Sequence, residues 1–190
     1  MESRSFAGPR IARAVREILA AIGEDPTRAG LEETPVRVAE AYARLFSGLH
    51  EDPLRHLDVS FDESARDLVL MRGIPFVSVC EHHLLPMIGR AAAAYLPAGR
   101  VVGFSEIVRL VEGLAARPQI QERLTAEVAD ALYEGLGSSG SLVVLEAEHT
   151  CIAATGAWRS GTTAVTSAPR GLFAEDPARR AEVMSAITPG

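Results

Sequence analysis

Residues Leu68–Leu96 read LVLMRGIPFVSVCEHHLLPMIGRAAAAYL. Two apolar runs, Leu68–Val79 and Ile88–Leu96, stand on either side of a polar turn, Cys80-Glu81-His82-His83. Both runs are rich in Val, Ile, Leu and Ala and carry few helix caps, so they read as strands. Ser141–Ile152 has the same texture, and Thr162–Ala168 reads as a fourth, shorter strand. Two helices separate the second strand from the third. The first follows Ser105 and buries Ile107, Leu110, Val111 and Leu114. The second opens at Pro118, buries Ile120, Leu124, Val128, Leu132 and Leu136, and stops at Gly137. Asp176-Pro177 caps a last short helix. This order predicts an α+β domain: an antiparallel four-stranded sheet with helices on one face.

Upstream, Ile11, Val15, Ile18, Leu19 and Ile22 form a helical stripe that Gly23 and Pro26 close. A second helix starts at Thr34-Pro35 and carries Val38, Tyr42, Leu45, Phe46 and Leu49. His50–Asp67 is polar and loop-like. The expected division is an N-terminal helical segment over 1–60 and a strand-bearing domain over 61–190. The 190 residues, 47% hydrophobic and 23% charged, can bury a real core. A net charge of −6 argues against a nucleic-acid partner. No apolar run approaches the ~18 residues of a membrane helix. Met1–Arg16 lacks an apolar signal core, so a cytoplasmic location is expected.

The rare residues cluster. Both cysteines and three of the five histidines lie in Cys80-Glu81-His82-His83 and His149-Thr150-Cys151. A disulfide and a pair of unrelated buried thiols are the plain alternatives, and a reducing compartment argues against the first. Together the segments offer five donors to one ion. Cys80, His83 and Cys151 make three zinc ligands. His82 or His149 as a fourth would close a structural site, whereas an open position would serve catalysis. On an extended strand His149 and Cys151 share a face, so His149 can stand beside the ion without binding it. An ion that lowers the pKa of water to about 7, next to histidines that titrate near neutrality, makes a hydrolytic centre.

Cys80–Pro86 (CEHHLLP) resembles the zinc motif of the GTP cyclohydrolase I family. Tyr95-Leu96-Pro97, Gly103-Phe104-Ser105, Arg117–Thr125 (RPQIQERLT), Glu146–Cys151, Thr166-Ser167-Ala168, Arg170-Gly171 and Phe173 continue the likeness, from about Ile11 to Ile187. The resemblance implies a tunnelling fold assembled as two pentamers into a homodecamer, with active sites at subunit interfaces. It implies zinc on Cys80, His83 and Cys151 and hydrolytic attack at C8 of a guanine nucleotide. His149 and His82 would manage protons, and Ser105 would help the ribose rearrange. Glu122 would hold the guanine amino edge with Gln121 beside it, and the product would be dihydroneopterin triphosphate plus formate. Read from the residues alone, Gln121 and Glu122 lie off the apolar stripe and also suit a solvated helix face, while Ser105 suits an N-cap. A pterin synthase of similar fold lacks this cysteine arrangement.

Two positions depart from the family pattern. Glu106 stands where the family has a triphosphate-contacting Lys, and Thr155 stands where it has Arg. Ala157–Ser160 also departs from the usual basic stretch. Arg109 matches a retained phosphate contact, and Arg37 matches one donated by a neighbouring subunit. Glu106 also suits the first turn of a helix, whose dipole favours a carboxylate. Three readings follow: a GTP cyclohydrolase I, a diverged enzyme opening a guanine compound with fewer phosphates, and a non-catalytic homologue with structural zinc.

Overall fold

The computed structural model describes residues 6–62, 64, 66–154 and 162–187. Thr155 and Ala157–Ser160 lie outside them. Helices α1 (Gly8–Ala21) and α2 (Thr34–Leu45) pack against each other at the N-terminal end. Short 3-10 turns at Ser47–Leu49 and Pro53–Asp58 lead into strand β1 (Ser60–Asp62). Then follow β2 (Val69–Cys80), β3 (Pro86–Leu96), β4 (Arg100–Val102), α3 (Phe104–Ala115), β5 (Pro118–Gln119) and α4 (Gln121–Asp130). A π turn over Ala131–Gly135 extends α4, and Gly137 ends it at φ +71. Completing the chain are β6 (Gly140–His149), α5 (Thr150–Ala154), β7 (Ala164–Gly171), α6 (Leu172–Glu175) and α7 (Pro177–Ile187).

The four expected strands form an antiparallel run β2-β3-β6-β7, but the sheet has five strands and is mixed. Pro118 and Gln119 do not begin the helix. They add a short parallel strand beside Val79 and Cys80, and the helix starts at Gln121. The Glu81 N–H donates to the Gln119 carbonyl at 3.0 Å, which holds this stretch extended. A separate two-stranded ribbon pairs β1 with β4. The β2–β3 register shifts between Met71 and Ile74, where Gly73 adopts φ +71, a conformation cheap only for glycine.

The main core lies between α3–α4 and one face of the sheet. Ile107, Leu110, Val111, Leu124, Val128 and Leu132 pack against Phe76, Ala91, Ala93, Val143 and Leu145. Helices are not confined to that face. On the other side, Phe173, Val183, Met184 and Ile187 of α6–α7 cover Leu70, Ala94, Leu96 and Leu142 at one end of the sheet. The reason is that these strands alternate between two apolar faces, as a sheet buried on both sides must. Toward the end that carries Cys80, Val77 and Ile88 are exposed on this second face.

Candidate active site

β2 ends at Cys80 and β3 begins at Pro86, so the motif must reverse the chain within five residues. Leu84 does this at φ +54; its N–H donates to the Cys80 carbonyl at 2.8 Å, and the Cys80 N–H donates to the Leu85 carbonyl at 2.9 Å. The turn folds His83 back over the strand end, placing Nδ1 3.7 Å from the Cys80 sulfur. The third donor arrives from β6. That strand stops at His149, and Cys151 lies in the short helix α5, not on a strand as its apolar context suggests. Thr150 Oγ1 donates to the Pro86 carbonyl at 2.7 Å, which fixes the change of direction beside the turn.

The ligand atoms of Cys80, His83 and Cys151 all lie within 4.8 Å of one another. Donors about 2.0–2.3 Å from one tetrahedral ion stand roughly 3.5–4 Å apart, so the triad fits a metal ion. Both thiols are buried, with Met87 and Leu85 packed against them. Burial pushes both thiols up. At Cys80 the His83 ring and the backbone N–H groups of His82 and His83 outweigh it, bringing the thiol below its usual range. At Cys151 burial and the neighbouring Cys80 together leave it raised. His82 stays exposed, its Nδ1 3.9 Å from the Cys80 sulfur.

The start of α4 is tied to this turn. Arg123 pairs with Glu81 and donates from Nε to the Gln119 side chain at 2.9 Å. Gln119, itself buried, donates to the Leu114 carbonyl and to Glu127 at 2.8 Å. Gln121 is 2% exposed, and its Oε1 lies 2.7 Å from His149 Nε2. Glu122, next in line, is exposed in the first turn of α4. Cys80, His82, His83, Cys151, His149 and Gln121 therefore share one end of the sheet, with Glu122 on the same helix start.

Ser105 and Arg109 are elsewhere. They occupy the first turns of α3, whose other end, Ala115, leads to β5 and the metal turn. The helix rises about 15 Å from Ser105 to Ala115, and the ligands lie beyond it. Gly103 is the N-cap of α3, so Ser105 sits inside the helix, exposed. Glu106 is held on three sides: His56 Nδ1 at 3.0 Å, Arg109 at 2.6 Å and the Ser105 hydroxyl at 3.3 Å. Its side chain is 8% exposed, while that of Arg109 is 58% exposed.

A sequence model described as GTP cyclohydrolase I matches residues 11–188. The chain is 55% identical over 181 residues to the GTP cyclohydrolase 1 of Clostridioides difficile (strain 630), covering 94% of this chain and 95% of that one. It is 52% identical over 179 residues to the Carboxydothermus hydrogenoformans protein of that name, covering 94% and 93%. Against that of Mycobacterium ulcerans (strain Agy99) it is 52% identical over 187 residues, covering 97% and 93%. The chain belongs to the GTP cyclohydrolase I family.

Within this GTP cyclohydrolase I family chain, the expected ligand triad converges and the expected phosphate end stands apart from it. Reading the sequence missed two groups of residues. Arg123 and Glu81 lie inside the quoted motifs, but nothing in their spacing reveals that they pair. His56 lies in a stretch that reads as loop, fifty positions from its partner Glu106. Among the described residues, no helix is long and apolar enough to cross a membrane.

Proposed function

We infer that this protein catalyses the GTP cyclohydrolase I reaction: hydrolytic opening of the guanine imidazole ring at C8, loss of formate, and closure to 7,8-dihydroneopterin triphosphate. The carrying observation is the convergence of two thiols and an imidazole beside His149 and the start of α4. Zinc is the ion that best suits this donor set, and when bound it supplies the Lewis acidity that makes water nucleophilic at neutral pH. Glu122 accepts from the guanine N–H edge in a charge-assisted pair, with Gln121 behind it. His149 and His82 carry protons to and from the imidazole nitrogens. Ser105 assists the ribose rearrangement, and Arg109 orients phosphate with Arg37 of a neighbouring copy. The 61–190 region is the catalytic tunnelling-fold domain behind an N-terminal helical segment, in a cytoplasmic protein.

The separation along α3 supports active sites shared between copies, as in a homodecamer of two pentamers. Each site then takes its metal end from one copy and its Ser105 end from another. Cys151→Ala and Ser105→Ala proteins, each inactive alone, are expected to recover about a quarter of wild-type activity when dissociated and reassembled in equal amounts. No recovery on remixing would place the whole site within one copy. The reaction itself is tested by mass spectrometry of the zinc-loaded protein with GTP, GDP, GMP and guanosine. Formate and dihydroneopterin triphosphate from GTP are expected, and no ring-opened product from any of the four would overturn the assignment.

One observation favours a second reading, an enzyme for a guanine compound with fewer phosphates. Glu106 is buried against Arg109 and neutralises the cation expected to meet phosphate. Glu106→Lys with Thr155→Arg is expected to raise the preference for GTP over GMP by one to four decades, at ~1.5–3 kcal/mol per charged contact. An unchanged ratio would show that these positions do not face the phosphates.

A further inference from the structure

The hydrogen-bond chain around Gln121 has only one consistent direction. The Gln121 Nε2 atom faces the carbonyl oxygens of Leu145 at 3.1 Å and Ala164 at 2.9 Å, and the Thr166 hydroxyl at 3.1 Å. Carbonyls only accept, so the atom turned toward them must be the amide nitrogen, and the flipped amide would set oxygen against oxygen. The hydroxyls agree. Thr125, 1% exposed, donates its single hydrogen to the Gln121 backbone carbonyl at 2.7 Å. At the 2.6 Å contact between Thr125 and Thr166, Thr166 must therefore be the donor. That leaves a lone pair on Thr166 to accept from Gln121. The two amide hydrogens are shared among these three acceptors, and each acceptor faces nitrogen, not another amide oxygen.

The other end of the amide is then an oxygen, and an amide oxygen has no hydrogen to give. His149 Nε2, 2.7 Å away, has to be the donor. We propose that Gln121 is a positioning residue that locks His149 as its Nε2–H tautomer, so that the ring presents Nδ1 as its one acceptor. Two elements enforce this. The amide is pinned by β6 through Leu145 and by the β7 end through Ala164 and Thr166, and both belong to the sheet that carries His149. A histidine in exchange between tautomers would present an acceptor at Nδ1 only part of the time, and its ring would be free to turn. A fixed partner removes both freedoms before substrate arrives, as outer-shell partners do for metal-site histidines.

The proposal rests on His149 as the proton carrier, and its test separates the two. The zinc-loaded protein labelled with ¹⁵N-histidine is examined by solid-state NMR at a pH where the ring is neutral, with the His149 signals assigned by their loss in His149→Asn. A protonated Nε2 and a bare Nδ1 are expected; a protonated Nδ1 overturns the proposal without any activity measurement. In Gln121→Met the zinc content is expected to hold, the His149 signals to show both tautomers, and kcat to fall about 10- to 100-fold with KM for GTP within about twofold. A raised KM at unchanged kcat would overturn the proposal by making Gln121 a substrate contact. If the wild-type ring shows Nε2–H while His149→Ala turns over normally, the tautomer stands and the proton-transfer role fails.

Discussion

Replacing Cys151 with alanine is expected to abolish metal retention and turnover together. Three donors lie within 4.8 Å of one another and would hold the ion, and removing one leaves two, below the ligand count of any lasting zinc site. The protein should still fold, because Cys151 lies in a five-residue helix at the sheet's end and the main core between α3–α4 and the sheet does not involve it. Metal analysis after gel filtration, run beside a formate assay and a circular-dichroism melt, checks all three statements. Turnover that survives with zinc absent would remove the metal from the reaction. The wild-type protein carries a related signature. Cys151 is the thiol held above its usual range, so zinc uptake by metal-free protein near neutrality should displace its proton. A weakly buffered solution with an indicator dye should acidify on titration with zinc, and the alanine protein should not reproduce that release.

Replacing His149 with alanine should give the opposite pairing: zinc retained, turnover lost by about 10²–10⁴-fold, the usual contribution of a positioned acid–base group. His149 ends β6 and bonds to Gln121, and it is not one of the converging ligand atoms. Its loss should therefore spare the metal. Single-turnover formate release with metal content measured on the same sample distinguishes the cases. Loss of zinc would make His149 a fourth ligand and the centre structural; normal turnover would end its proton-transfer role.

The legible parts of this molecule are those written in short-range patterns. Cys80, His83 and Cys151 are legible because cysteine and histidine are rare and fall in two short segments, Cys80–His83 and His149–Cys151. Strands β2 and β3 and the stripe of α3 followed from periodicity. Where long-range pairing decides, the pattern misleads. Pro118 looks like a helix start because proline favours that place, yet the neighbouring strand β2 captures it and Gln119. The apolar run through Ile152 looks like continuous strand, yet it coils after His149 where Thr150 reaches the Pro86 carbonyl. Leu70, Ala94 and Leu142 are apolar on the side assumed bare, and only the fold reveals that α7 comes back to cover them. The clasp of His56 on Glu106 leaves no trace in any local window.

The pairing of Arg123 with Glu81 has a mechanical meaning. Glu81 sits between Cys80 and His82, and Arg123 lies one position after Glu122 on α4. The two regions expected to grip the ion and the base are thus stitched together in the resting protein, at a distance of one side-chain pair. A chelator that strips the ion is expected to slacken the grip on the purine, and a bound purine to slow the ion's escape.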